Sequence, residues 1–409
     1  MPGANEKLNR RRFLRVSGTG LAAGLVPPGL IGRGAGERIR VGIIGCGGRG
    51  GWVLGRLVKH RTEANVTVTA LCDVWRPARE RMATRVEKSF GTKPRLFARY
   101  QDLLALPDVD AVVITTPDFA HSPILTAVAE AGKDAYCEKP MATRIEDANQ
   151  ALLAVRKHRR VVQIGTQRRS DGRFIAASEL LRSGLLGKVV EIDTAWHDNR
   201  PRWKRSFEDV KQDDLDWEAF LMGGPSRPFD PRRYRCWHLY RDYTVGTVGL
   251  LGSHLIDAAT WLVGESYPTS ATALGGTYLW KDREHADTME CLWEYPSGFL
   301  LRYGTRLGNS ARGPELTIRG SRGSFDTSSF EARPEGGGKG RLEKGVKVAA
   351  KPGVDHVRNW LDCIRSREDP NAPIEAGHAH SVATIMAYQA WLSGRRQLWD
   401  AAERRLRSG

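Results

Sequence analysis

Cysteine is sparse in this 409-residue chain: Cys46, Cys72, Cys137, Cys236, Cys291 and Cys363 lie far apart, with no Cys-x-x-Cys pair. Such spacing signals neither a zinc site nor a small disulfide scaffold, so no metal is expected. Several of the six fall in apolar strand-like runs, where buried free thiols are expected. Aromatic residues make up only 8%, and none of them interleave with Lys and Arg in the manner of RNA readers. Nucleic-acid binding is therefore not expected. Internal repeats are absent, and 44 glycines and 20 prolines are too few and too unperiodic for a fibrous chain.

What is present points to a globular protein. Hydrophobic residues are 41% and charged residues 27% of the chain, and this length predicts two domains with ample core. Lys and Arg exceed Asp and Glu by 63 − 47 = 16, a surface that favours anionic ligands or membrane lipids. Residues 1–36 contribute +5 of this, from six basic residues against Glu6. There Asn9-Arg10-Arg11-Arg12-Phe13-Leu14-Arg15 precedes the uncharged stretch 16–32, which Pro27 and Pro28 interrupt. The stretch is too short and broken for a comfortable membrane span. The segment resembles a twin-arginine export signal. Recognition by the twin-arginine machinery and a periplasmic or extracytoplasmic location are expected, with membrane tethering if the leader stays uncleaved.

From residue 39 to about 167, short Val-, Ile- and Ala-rich runs (39–45, 66–72, 111–115, 135–137, 161–164) alternate with stretches of helical period around 75–90, 120–131 and 145–158. Continuous apolar strands separated by helices predict a parallel sheet covered on both faces. After a helix near 174–183 the pattern becomes alternating, as in 189–196, and Pro296-Ser297-Gly298 is a hairpin signal between two further strands. Residues 333–340 read as a mobile loop, and helices over 354–367 and 376–392 are expected to pack back on the first domain. The fold class expected is α/β: a doubly wound parallel sheet over 37–167, then an α+β domain over 168–409 with an open, mostly antiparallel sheet. Its open face would need covering, so a homo-oligomer is expected.

The first strand runs into Gly45-Cys46-Gly47-Gly48-Arg49-Gly50 and then a helix. Gly45 permits the tight turn, Gly47 lets backbone approach a pyrophosphate, and Gly50 allows close helix–strand packing, the Rossmann dinucleotide fingerprint. The helix start offers unpaired N–H groups to phosphate. Asp73 ends the second strand 23 residues after Gly50, where a carboxylate accepts from ribose hydroxyls and disfavours a 2′-phosphate. NAD is thus expected over NADP. Gly48, Arg49, Thr116, Pro117, His121, Glu138, Lys139 and Gln167 complete the candidate cofactor contacts.

Two further motifs close later strands: Thr115-Thr116-Pro117-Asp118-Phe119-Ala120-His121 and Cys137-Glu138-Lys139-Pro140. With the glycine turn, in this order, they resemble the Gfo/Idh/MocA oxidoreductases (glucose-fructose oxidoreductase, inositol dehydrogenase), and the resemblance covers nearly everything after residue 36. It implies bound NAD(P) and redox chemistry at a sugar or polyol hydroxyl. Lys139 would hydrogen-bond the reacting oxygen and His254 relay the proton. The family commonly carries Asp-x-x-x-His in the second domain, and here the Asp position is Leu250.

Aromatic and basic residues crowd 196–243. His197, Tyr234 and Trp237 are the candidate substrate residues there, with Asp257 either a substrate contact or a structural group. The leading expectation is an exported NAD-dependent carbohydrate oxidoreductase with tightly held cofactor. The alternative is an NAD-assisted glycoside hydrolase or lyase using transient sugar oxidation, with Glu208, Asp257 or His285 as the extra acid or base. A non-enzymatic binding protein is the third reading.

Overall fold

The computed structural model describes residues 36–311, 313 and 315–409. The expected leader lies outside them except for Gly36. The first half runs β1 (Ile39–Ile44), α1 (Gly48–Lys59), β2 (Val66–Cys72), α2 (Arg76–Phe90), β3 (Arg95–Phe97), α3 (Tyr100–Leu104), β4 (Ala111–Ile114), α4 (Asp118–Glu130), β5 (Asp134–Cys137), α5 (Ile145–His158) and β6 (Val162–Ile164). Among the described residues these six strands form one parallel sheet in the order β3-β2-β1-β4-β5-β6. Every residue of β4 and β5 is buried, as continuous apolar strands with helices on both faces require. The order reverses between β1 and β4, and that switch point opens the crevice in which ligands of such sheets bind.

The second half runs α6 (Gly172–Arg182), β7 (Val189–His197), α7 (Trp217–Leu221), α8 (Pro231–Arg235), α9 (Ser253–Val263), β8 (Ser270–Gly276), β9 (Thr288–Tyr295), β10 (Phe299–Arg306), β11 (Leu316–Gly320), β12 (Gly323–Asp326), β13 (Glu331–Pro334) and β14 (Val346–Lys347). It ends with α10 (His356–Ser366), α11 (Ile374–Ser393), β15 (Gln397–Asp400) and β16 (Arg405–Ser408). Among the described residues its ten strands form one sheet, β14-β13-β12-β11-β7-β10-β9-β8-β15-β16, antiparallel except for the β7/β10 pair. The expected hairpin closes β9 on β10, Tyr295 opposite Phe299, with Gly298 in the left-handed region at φ +77°. Residues 333 and 334 belong to β13, which narrows the expected mobile loop, because their backbone is committed to pairing with β12.

Alternation makes the sheet two-sided. Met289, Cys291, Trp293 and Tyr295 point inward and are buried, whereas Leu292, Leu300 and Val190 are exposed. The outer face also carries an ion-pair row in which Arg302 meets Asp193 at 2.7 Å and Glu290 at 3.0 Å. α6, α9 and α11 cover the inner face. α10 returns to the first half, where Val357, Trp360 and Leu361 join the core formed by β1, β2 and α1. α11 touches both sheets: it packs on β6 and β8, its Ala383 carbonyl accepts from Trp293 Nε1 at 2.9 Å, and its Ser381 hydroxyl accepts from Ala142 N–H at 3.1 Å. All six cysteines are buried and free. No described helix is long and apolar enough to cross a membrane.

Candidate active site

A cleft of about 830 Å³ lies along the carboxyl ends of the first sheet's strands, walled by Gly45–Arg49, Asp73 and Thr115–Pro117 on one side and by Phe220, Tyr234, Trp237 and His238 on the other. Gly45 turns at φ +96°, and a Cβ there would stand 2.6 Å from the Thr115 carbonyl oxygen. A Cβ on Gly50 would stand 2.1 Å from Gly45 O, so helix and turn touch only because both are glycine. Gly47 and Gly48 meet nothing within 4 Å, which leaves their backbone open to a ligand. α1 begins without a side-chain cap or an acidic residue in its first turn, so its N–H groups and positive end face the cleft uncompensated. This is a cradle for a pyrophosphate.

Asp73 braces that cradle. Its carboxylate accepts from Cys46 N–H at 2.7 Å and Trp75 N–H at 2.9 Å, while burial pushes its pKa up against those bonds. Remaining lone pairs can take ribose hydroxyls. The Tyr234 hydroxyl also bonds Asp73, and the Tyr234 ring packs edge-on against Trp75 at 6.0 Å. Tyr234, expected at the substrate, thus lines the cleft with its hydroxyl on Asp73, at the end where ribose hydroxyls would lie. Gly50→Ala tests the cradle. Forcing the turn apart is expected to cost about 1–3 kcal/mol and to weaken NADH about tenfold or more, read by fluorescence titration.

The two strand-end motifs are tied together behind the cleft. His121 is fully buried, its ring nitrogens 2.9 Å from Thr116 O and 2.8 Å from Pro140 O. Burial pushes its pKa down, so a neutral ring donates to one carbonyl. His121, expected among the cofactor contacts, thus clamps the two motifs together with both ring nitrogens on backbone carbonyls. Glu138 accepts from Arg49 Nε at 2.6 Å, and Gln167 bonds the Tyr136 hydroxyl at 3.0 Å beside it. A Cβ on Gly165 would lie 2.6 Å from Glu138 Oε1, so any side chain there would have to displace that carboxylate.

Lys139 follows, with a cis peptide to Pro140. Its Nζ donates to the Leu250 carbonyl at 2.8 Å. Burial pushes the ammonium's pKa down, while Asp118 and Glu138 oppose that. Leu250 sits in a π-helical turn, Val248–Gly252, that leads into α9; such turns gather at functional sites. One turn on, His254 stacks on Trp196, centroids 6.1 Å apart. Burial and then the charges of Lys139, Arg168 and Arg49 hold its pKa well below 6.5. A cationic hydrogen-bond donor thus stands beside a neutral imidazole, the pair needed to polarise an oxygen and accept its proton. Neither residue is on the wall of the large cleft; Leu250 connects them to it through Trp237, with which it shares an apolar cluster.

Sequence reasoning passed over Asp118, although it stands inside a quoted motif. It is buried at the start of α4, accepts from Thr244 Oγ1 at 2.7 Å, and burial raises its pKa to about 7 against the pull of Lys139. Trp203, part of the aromatic stretch read as a substrate wall, and Trp280, which sequence reasoning did not single out, pack with Trp196 and Trp237 around Leu250, Leu251 and Leu307. The leucine at position 250 seats these indoles. His197 ends β7 and is buried next to Asp198, which Arg200 and Arg202 clamp, holding its carboxyl near pKa 2.

Of the two readings given for Asp257, the structure fits the structural one. Its two oxygens receive Arg169 at 2.9–3.0 Å, its side chain is 1% exposed, and His380 lies 3.9 Å away. Nothing in its helical spacing from His254 announced an arginine 88 residues upstream. His285 is likewise buried, bonded to the Tyr388 hydroxyl at 3.3 Å.

Sheet order and the glycine cradle define a dinucleotide-binding Rossmann fold, with the lysine–histidine pair beside it. The model of the oxidoreductase family Gfo/Idh/MocA, described as an NAD-binding Rossmann fold, matches residues 39–166, and that of the family's C-terminal domain matches residues 174–326. The chain belongs to the Gfo/Idh/MocA oxidoreductase family. It is 34% identical over 204 residues to an inositol 2-dehydrogenase/D-chiro-inositol 3-dehydrogenase of Lactiplantibacillus plantarum, 48% of this chain and 57% of that one. It is 33% identical over 155 residues to the Shouchella clausii protein of the same name, 38% of this chain and 43% of that one. The chain thus spans about half the length of these relatives. Its fold is that of the WlbA dehydrogenase of Chromobacterium violaceum, solved with NADH and UDP-GlcNAcA (TM-score 0.68, 20% identity, 91% of this chain and 99% of that one).

Proposed function

We propose that this protein oxidises or reduces a carbohydrate or polyol hydroxyl with tightly held NAD, and that it does so after twin-arginine export. The observation that carries the reading is the Lys139 amine beside the neutral His254 imidazole, next to a wall of tryptophans whose faces suit the CH faces of a sugar ring. Bound over the glycine turn, NAD supplies the hydride acceptor or donor. Lys139 holds the reacting oxygen, and His254 takes or returns its proton. The inositol dehydrogenase relatives support this substrate class. A compartment without a ready NAD pool favours a cofactor carried out on the folded protein and recycled there by a second substrate.

The test is to purify the protein with its cofactor and add myo-inositol, D-glucose or levoglucosan. Appearance of the reduced-nicotinamide absorbance with any of them is expected; silence with all three, and with their keto forms against the reduced protein, sinks the reading. A second reading, transient oxidation followed by glycosidic elimination, draws on Asp118, a buried carboxyl close to neutrality beside Lys139. Release of a glycoside's leaving group without net absorbance change would favour it. Export predicts that replacing Arg11 and Arg12 with lysine retains the protein in the cytoplasm, read by cell fractionation. We further propose self-association through the outer sheet face, where Val190, Leu292 and Leu300 are exposed.

A further inference from the structure

His238 takes no part in the chemistry above, yet its surroundings are built with unusual strictness. It sits in a 3-10 turn, Trp237–Leu239, on the wall of the large cleft, and is 9% exposed. Two indoles sandwich its ring: Trp237 with centroids 3.6 Å apart and planes at 16°, Trp203 at 5.6 Å and 6°. Trp203 reaches this position with φ +68°, a backbone region that a bulky side chain occupies only under strain.

Between these apolar faces the imidazole hydrogen-bonds to no described residue, and its Nδ1 is fully enclosed. A buried polar group without a partner is a standing cost. For packing alone a phenylalanine would serve better. Two local costs, a strained tryptophan and an unbonded histidine, thus coincide at one spot, as they do where structure serves a ligand.

The spot adjoins the reacting centre. Trp203 and Trp237 pack against the cluster of Leu250, Leu251 and Leu307, and the Leu250 carbonyl is the one that holds Lys139 Nζ at 2.8 Å. Burial, with Arg205 and Lys139 nearby, keeps the His238 ring neutral. A neutral imidazole presents one donor and one acceptor on opposite edges; with Nδ1 enclosed, Nε2 is the edge that a ligand hydroxyl can reach. The flanking indole edges suit the CH groups around such a hydroxyl.

We propose that His238 is a substrate-recognition residue of this centre, hydrogen-bonding a hydroxyl other than the reacting one on a cyclic polyol or sugar that enters beside Trp203 and Trp237. The assignment rests on the carbohydrate reading above and deepens it. It also gives the site a means of selection: a ligand lacking that hydroxyl leaves the imidazole unpaired, which penalises binding far more than a lost methylene does.

The experiment compares wild type, His238→Phe and His238→Asn as cofactor-loaded proteins, with myo-inositol, D-glucose and levoglucosan as probes. His238→Phe is expected to melt at or above wild type and to hold NADH within about threefold, while KM for the compound turned over rises about 30-fold and kcat changes less than about threefold. His238→Asn, which keeps a donor and an acceptor, is expected to recover part of the KM. An unchanged KM in His238→Phe overturns the proposal, and so does a variant that melts well below wild type and loses NADH as well, the mark of a merely structural histidine. Imidazole ¹⁵N signals of the wild-type protein, titrated with the same three compounds, separate the two claims. A shift of the His238 signals without turnover sinks the oxidoreductase reading and keeps the recognition role, whereas no shift with any compound overturns the recognition role.

Discussion

Lys139→Met is expected to lower kcat by about 10³-fold, within the range attributed to a positioned proton-transfer group, while NADH affinity changes little. Methionine fills the space of the lysine stem but cannot donate to the Leu250 carbonyl or to a substrate oxygen. The amine now makes that bond at 2.8 Å, so it is already turned inward to where the oxygen would lie. Melting should change by far less than activity, because the lost bond is one hydrogen bond at a partly exposed residue. Steady-state turnover, NADH titration and a thermal melt on the same preparation decide the matter; a kcat within tenfold of wild type removes Lys139 from the chemistry. The pH profile has a stated direction too. His254 must be neutral to accept a proton, and its surroundings hold its pKa well below 6.5. Activity should therefore persist well below pH 6.5 before its acid limb appears.

Asp257→Ala is expected to destabilise the fold by about 3–5 kcal/mol, since it strands the Arg169 guanidinium in the interior. The arginine side chain is only 13% exposed and has, besides Asp257, the Trp261 ring at 5.3 Å. The carboxylate's pKa is lowered from 3.8 to about 2. A lowered pKa means that the stabilisation is complete above about pH 4 and disappears as pH falls through 2. By linkage this part amounts to about 2 kcal/mol. Urea unfolding of wild type and variant at pH 7 and near pH 2.5 should show the gap between them narrowing at the lower pH. If the variant instead unfolds like wild type and only its KM rises, Asp257 belongs to the substrate after all.

The first sheet was readable almost element by element. Unbroken Val, Ile and Ala runs have one stable home, a sheet covered on both faces, and the helices expected near 75–90, 120–131 and 145–158 emerge as α2, α4 and α5 within a residue or two. The second sheet was readable only where alternation was long, as in β7, β9 and β10. Its outer members, such as β14 with two residues and β16 with four, carry too few positions to show a period. The parallel pairing of β7 with β10 joins segments about a hundred residues apart, which no local pattern encodes. At the site, the glycines, Lys139 and His254 stood out because motif order announces them. The partners of Tyr234, His121 and Asp257 were not legible, for a different reason. A sequence shows that a side chain can form a hydrogen bond but not which partner claims it, and here Asp73, two backbone carbonyls and Arg169 do so. Leu250 looked like a loss; in three dimensions its side chain seats tryptophans while its backbone holds the lysine.

α11 leaves a mark on how the cofactor comes and goes. One helix shared by both sheets ties the halves together and opposes a clamshell opening. The dinucleotide is then expected to enter and leave by peeling back the segment that carries Phe220, Tyr234 and Trp237, a local rupture of aromatic contacts. Residence on the protein is then governed by how firmly that flap is stuck down, and a slow-leaving cofactor needs no covalent tether.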